Sequence, residues 1–216
     1  MSDHAMLKIF LIRPGVTDFD EQGRIKGTLD IPLNENGTVQ VAQTIDDLAT
    51  EEIDAIYFSP CQCCEQTTQL LTKTRDLKAK SLKGLTNLNH GLWHGKRIEE
   101  VKQQQPKVYR QWQEHPETVC PPEGERLSEV TSRVQTTLAK LMKKHKDGVI
   151  AIVVPEPLTS VILSLLKESS LGDLWQAECR GGGWEAFHVT PNGVVSNTPN
   201  PVTTLAGSQV SSDQID

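Results

Sequence analysis

With 216 residues, 37% of them hydrophobic and 23% charged, the chain has room for one α/β domain with a full core, or at most two small ones. A formal charge of −6 argues against a general nucleic-acid or anionic-membrane binder. The five cysteines, three of them crowded into Cys61-Gln62-Cys63-Cys64, do not resemble the spaced framework of a secreted disulfide protein, so reduced thiols and a cytoplasmic setting are expected.

The first apolar run, Met6 to Ile12, is too short for a membrane span, is interrupted by Lys8 and lacks a small-residue cleavage site. It reads as a buried first strand over Lys8–Ile12. Two more short β-branched or aromatic runs, Ala55–Phe58 and Val149–Val154, have the same character. Each of the three is followed by a helical pattern. Thr38–Leu48 comes after the turn Asn34-Glu-Asn-Gly37, and Cys64–Leu71 after the second strand. Leu158–Leu166 follows the third, with Pro157 suited to a first helical turn. The spacing of Leu127, Val130, Val134, Leu138 and Leu141 predicts a further amphipathic helix over Leu127–Lys144. Its lysine-rich end reads as a solvated terminus that suits the helix dipole.

Strand-helix alternation implies right-handed crossovers and a three-layer α/β sandwich, its mostly parallel sheet covered by helices on both faces. Residues 84–122, rich in Gly, Gln, Pro, Trp and His, read as an excursion over the sheet. Trp184–Val189 reads as the last strand, closed by Thr190-Pro-Asn-Gly193. The domain is expected over residues 1–195, with 196–216 a polar, flexible tail. Ligands of open α/β sheets bind beyond the carboxyl ends of strands, which directs attention to Arg13–Thr17, Ser59–Cys64 and Pro155–Pro157.

Four motifs lie along this frame. Leu11-Ile-Arg-Pro-Gly-Val-Thr17 resembles Leu-Ile-Arg-His-Gly-Glu-Thr, the signature of the histidine phosphatase superfamily, phosphoglycerate-mutase-like branch. Gly23-Arg-Ile-Lys-Gly-Thr-Leu-Asp-Ile-Pro-Leu-Asn-Glu-Asn-Gly37 resembles that family's next block almost position for position. Ser59-Pro-Cys-Gln-Cys-Cys-Glu-Gln-Thr67 is similar to Ser-Pro-Leu-x-Arg-Ala-x-x-Thr. Leu85 to Gly95 is similar to Leu-x-Glu-x-x-Phe-Gly-x-Trp-Glu-Gly. The resemblance spans roughly residues 7 to 190 and implies the phosphoglycerate-mutase-like fold.

It also implies phosphoryl transfer through a phosphohistidine, with a second histidine and two arginines binding the phosphoryl oxygens and a carboxylic acid protonating the leaving group. Carried over by position, the nucleophile falls on Pro14, the first arginine on Arg13, the second on Cys63, the acid on Asn87 and the second histidine on Pro155. Only Arg13 retains its role. Each missing donor is expected to cost about 10²–10³ in rate, and a missing nucleophile on the order of 10⁶. Asp20 and Glu156 stand where the family often has Asn and Gly, which adds anions where cations are lost. One of the two is expected to pair with Arg13. No replacement cation is visible near these motifs.

No catalytic residue is therefore expected. The expected function is that of a pseudoenzyme binding a partner protein or a small ligand other than a phosphate, in a cleft formed by Arg13, Thr17, Asp20, His90, His94 and Glu156. The alternative is a weak or altered phosphoester hydrolase using Arg13 and recruited His90, His94 or Cys63. Cys-x-Cys-Cys matches no common zinc pattern, so neither metal nor cofactor is expected. Gly181-Gly-Gly183 reads as a turn device, because no P-loop Lys-Ser/Thr follows it. Trp93, Trp112, Trp175 and Trp184 read as packing residues.

Overall fold

The computed structural model describes residues 6–73, 75–190 and 193–197. The helical and strand segments in chain order are β1 (Leu7–Ile12), α1 (Asp18–Glu21), α2 (Glu35–Asp47), β2 (Ala55–Phe58), α3 (Gln62–Thr72) and β3 (Lys78–Ser81). Then come α4 (Ile98–Gln104), α5 (Pro106–Glu114), α6 (Leu127–Lys144), β4 (Gly148–Val153), α7 (Leu158–Lys167), α8 (Leu174–Glu178), β5 (Trp184–Thr190) and β6 (Gly193–Asn197).

The strands form one sheet in the order β3-β2-β4-β1-β5-β6. The first four of these run parallel to one another, β5 is antiparallel to β1, and β6 is antiparallel to β5. Period-two alternation divides each central strand between two cores. Leu7, Ile9 and Leu11 of β1 join Tyr57, Ile150 and Ile152 on one face, under α6 and α7. Phe10 and Ile12 join Ile56, Ala151 and Val153 on the other, with Leu48, Cys64 and Leu71 from the α2 and α3 side. A continuous apolar run is what a strand buried on both faces requires.

α6 occupies the span that its periodicity predicts. Its five apolar positions are all buried, and the Arg126 backbone N–H donates to Glu129 at 2.9 Å, closing the first turn. α7 begins at Leu158 as expected, with Pro157 as its N-cap, and ends one residue beyond the expected Leu166.

Two strands were not foreseen. β3 consists of exposed residues, two of them lysines, and pairs only with β2; charge on an edge strand deters further pairing and also hides the strand from hydrophobic pattern reading. β6 pairs with β5 and takes in residues 196–197, two residues past 195. The rest of the expected tail, and the centre of the expected turn at 191–192, lie outside the described residues. Among the described residues no helix is long and apolar enough to cross a membrane.

The excursion is helical in two short segments, α4 and α5, with 3₁₀ turns at Lys83–Leu85, Gly91–Trp93 and Pro116–Thr118. It docks on the loop after β1: Ile25 N–H donates to the Lys96 carbonyl at 3.0 Å and Gly95 N–H to the Ile25 carbonyl at 2.9 Å. That places residues 84–122 beside the carboxyl end of the sheet.

Candidate functional site

Parallel register brings three strand ends to one edge. Ile12 and Phe58 both lie opposite Val153, so the segments starting at Arg13, Ser59 and Val154 leave the sheet side by side. Val154 N–H still donates to the Ile12 carbonyl at 3.1 Å, and Ser59 N–H to the Val153 carbonyl at 2.9 Å. Pro14 and Pro155 are each two residues beyond a paired position, at equivalent places on adjacent strands. Proline lacks a ladder donor, which matters little where pairing stops.

A glycine turn supports this edge. Gly182 N–H donates to the Pro14 carbonyl at 2.7 Å and Arg13 N–H to the Gly183 carbonyl at 3.0 Å. Gly182 and Gly183 have φ of +70° and +76°, the left-handed region that glycine adopts without a Cβ penalty. A Cβ on Gly181 would lie 2.6 Å from Val16 Cγ1. The expected turn device is therefore the backing of the signature segment.

Arg13 is buried against Glu156, whose Oε1 accepts from Nε at 2.8 Å; the two side chains are 3% and 0% exposed. Glu185 Oε1 lies 3.6 Å from the same guanidinium, and Lys167 pairs with Glu185 at 2.6 Å. The other oxygen of Glu156 accepts from Ser160 N–H at 3.0 Å and from its hydroxyl at 2.8 Å. Of the two carboxylates expected to pair with Arg13, Glu156 does so and Asp20 does not. Asp20 instead accepts from the Thr17 backbone at 2.6 Å and hydroxyl at 2.7 Å, and its other oxygen holds Lys26. Burial, the largest single influence, would lower the Lys26 pKa, but the charge and hydrogen bond of Asp20 together with Cys63 and Glu178 outweigh it and hold the ammonium above its ordinary value.

Against the expectation that no further cation lies near these motifs, Lys26 stands at this edge. It is buried and lies within electrostatic reach of Cys63 and Glu178. Its signal was a lysine inside the Gly23–Gly37 block, and it could not be placed at this edge until the loop was folded.

Asn87 acts as a clamp: its amide donates to the Gly27 carbonyl at 3.0 Å and to the Glu156 carbonyl at 2.9 Å, while its Oδ1 finds no hydrogen-bond partner among the described residues. His90 is fully buried, with Nε2 2.6 Å from Glu178 Oε1, while His90 Nδ1 and Glu178 Oε2 have no hydrogen-bond partner among the described residues. Glu178 is a site residue that sequence reading missed. It approaches His90 only through the fold, 88 positions apart. Around His90 stand Trp112 at 5.6 Å and Trp93 at 6.3 Å between ring centroids. His94 uses Nε2 to accept from the Thr28 and His90 backbone N–H groups, both at 3.2 Å. Burial, then the neighbouring His90, lowers its pKa from the ordinary histidine value.

Cys61, the N-cap of α3, and Cys63 and Cys64 in its first turn bring all three sulfurs within 4.8 Å of one another. The Cys61 thiol is pushed down to about 3, through hydrogen bonds from Cys63 and then Cys64 that outweigh burial. Cys63 is raised chiefly because its proton is held on Cys61, and Cys64 chiefly by burial.

The site is thus one connected set. Thr17, Asp20 and Lys26 form one side, with Cys63 and Glu178 in electrostatic reach of the lysine, while Arg13, Glu156, Glu185 and Asn87 form the other. Its two cations, Arg13 and Lys26, face four carboxyl groups, Asp20, Glu156, Glu178 and Glu185; Arg13 is already in contact with two of them and Lys26 with one.

Comparison with known proteins agrees with the motifs and the sheet. The chain is 28% identical over 185 residues to phosphoserine phosphatase 1 of Hydrogenobacter thermophilus, covering 85% of this chain and 87% of that one. It is 28% identical over 182 residues to a metal-independent phosphoserine phosphatase of Arabidopsis thaliana, covering 79% and 73%. The fold is shared with Bacillus stearothermophilus YhfR, with a TM-score of 0.80 at 22% identity over 88% of this chain and 95% of that one. It is shared as well with the α-ribazole phosphatase of Shigella flexneri, with a TM-score of 0.77 at 21% identity over 90% and 96%. Residues 9–200 match the sequence pattern of branch 1 of the histidine phosphatase superfamily, and the chain belongs to that family.

Proposed function

We propose that this family member does not turn over phosphoesters and instead uses its cleft to bind a partner protein or a small ligand other than a phosphate ester. The observation that carries the reading is the buried Arg13–Glu156 ion pair. Arg13 is the one retained member of the family's phosphate-handling set, and its guanidinium is taken by a carboxylate that follows Pro155. An entering phosphate dianion would have to displace Glu156 and then lie among further carboxyl groups, losing the Coulombic gain that binding needs.

The chemistry of the neighbouring positions supports the same reading. Pro14 and Pro155 offer no nucleophilic or proton-bearing atom, and Asn87 has no carboxyl proton to donate. The recruited groups that an altered hydrolase would need are otherwise engaged. His90 is enclosed beside Glu178, His94 has its acceptor nitrogen occupied by two backbone donors, and the Cys63 thiol is held protonated. The relatives named as phosphatases are similar to this chain in fold and sequence, and the family reaction they represent runs through a histidine where this chain has Pro14.

The test is hydrolysis of an aryl phosphate by the purified chain between about pH 5 and 8, beside Arg13→Ala and Cys61→Ser, since a working nucleophile would have to be supplied from this pocket. The expected result is turnover no greater than in either variant. Turnover that is lost in Arg13→Ala or Cys61→Ser overturns the reading.

A further inference from the structure

Sequence spacing alone gave no reason to expect a metal, yet the fold assembles one ligand set. Among the described residues, Cys61, Cys63 and Cys64 are the group whose donor atoms converge closely enough to hold an ion. We propose that these three thiols form a site for a thiophilic metal ion of the zinc class, with a fourth coordination position left to a small exogenous donor.

The convergence has a local cause. Cys61 is the extended N-cap of α3, with φ −139° and ψ 153°, and the chain then turns at once into the helix. That geometry directs an N-cap side chain back over the first turn, where the second and third helical residues are Cys63 and Cys64. The site is therefore made by one cap and one turn, and needs no ligand from a distant element.

The distances suit the ion. Zinc–thiolate bonds of about 2.3 Å place tetrahedral sulfurs about 3.8 Å apart and trigonal ones about 4.0 Å apart. Cys61 Sγ and Cys63 Sγ are 3.7 Å apart, and all three sulfurs lie within 4.8 Å, so closing the site takes shifts of roughly an ångström or less. An all-sulfur set selects soft and borderline ions and excludes calcium or magnesium, which require oxygen. Three thiolates on a dication leave one negative charge, and the Lys26 ammonium, within electrostatic reach of Cys63, offsets it. Cys63 and Cys64 are buried and Cys61 is half-buried, so an ion can enter past Cys61 and remain shielded on the inner side. Three protein ligands with one open position is the arrangement of zinc sites that bind or activate a ligand rather than of closed structural sites.

Cobalt(II) titrated into the reduced full chain reads the site directly. One equivalent should produce a thiolate-to-metal charge-transfer band that is displaced by zinc, lost in Cys63→Ser and retained in a chain carrying Cys120→Ser and Cys179→Ser. Absence of the band, its survival in Cys63→Ser, or its loss in the Cys120/Cys179 variant overturns the proposal. A measurement on the unaltered chain stands independently of how Cys63→Ser folds. With zinc well above its dissociation constant, alkylation of Cys61 should slow by about tenfold or more while the exposed Cys120 and Cys179 react at unchanged rates. Equal alkylation of Cys61 with and without zinc, as a disulfide or a purely packing role would give, overturns it.

Discussion

The floor and the roof of the cleft bury polar groups by opposite means. On the floor, Arg13 meets Glu156 and Glu185, and Lys26 meets Asp20, so every buried cation has a carboxylate. In the roof, His90 and Glu178 share one short hydrogen bond, and the buried indole N–H groups of Trp93 and Trp112 find no acceptor among the described residues. What holds the roof is ring packing: Trp93 and Trp112 meet edge to face at 5.6 Å, and Tyr109 stacks on Trp175 at 5.3 Å. Such pairs contribute about 0.5–1.5 kcal/mol each beyond the area they bury. The contrast teaches that the floor is specified by charge and the roof by shape.

Breaking the floor should have the largest effect. Glu156→Ala leaves the Arg13 guanidinium buried with only the longer Glu185 contact, and should lower unfolding free energy in urea by about 3–5 kcal/mol. Arg13→Met combined with Glu156→Leu should recover most of that loss, because a packed apolar pair replaces two desolvated charges. A single substitution costing less than about 1 kcal/mol would mean that the pair is open to water rather than closed.

The roof should respond less. His90→Phe restores the residue type that the family motif carries at this position and keeps a ring beside Trp112, but leaves Glu178 buried without its imidazole. A loss of about 1–3 kcal/mol is expected in the same denaturation experiment, and Glu178→Met in the same chain should remove most of it. If His90→Phe were neutral by itself, the carboxyl group would have to find another partner, and the roof would be held by packing alone.

The smallest effect is a pH dependence. The His94 pKa is lowered by burial and by His90, and its acceptor nitrogen serves two backbone donors only while neutral. The unfolded state then binds the proton more readily than the folded one. The contribution is full above the unfolded value of about 6.5 and is lost as pH falls through the lower folded value. Melting temperature should therefore decline on acidification below that range, and the slope should be shallower in His94→Gln. An unchanged slope would assign the dependence to other groups, of which His145, also lowered by burial, is the first to examine.

Legibility followed physical range. The buried strands and α6 could be read because their apolar residues recur with the period of their own backbone, and that signal is local. The edge strands β3 and β6 escaped because they are held by backbone pairing to a neighbour while their side chains carry little apolar pattern. Arg13, Asp20 and Glu156 could be named as site residues from motif position, and the carboxylate excess implied an ion pair at Arg13. Which carboxylate takes the arginine was decided by register, since β1 and β4 end side by side and bring Glu156 to it, while Asp20 turns back to cap α1 and hold Lys26.

The sequence by itself determined the family, the layered α/β architecture and the presence of proline at positions 14 and 155, just beyond two of its strands. Those are properties of residue type and order. Only the tertiary structure decided that Lys26 enters the cleft, that His90 meets Glu178, and that three cysteines without a recognisable spacing converge at one helix start. Each of these is an encounter between side chains, and its distance is set by how the chain folds back on itself rather than by how far apart the residues lie along it.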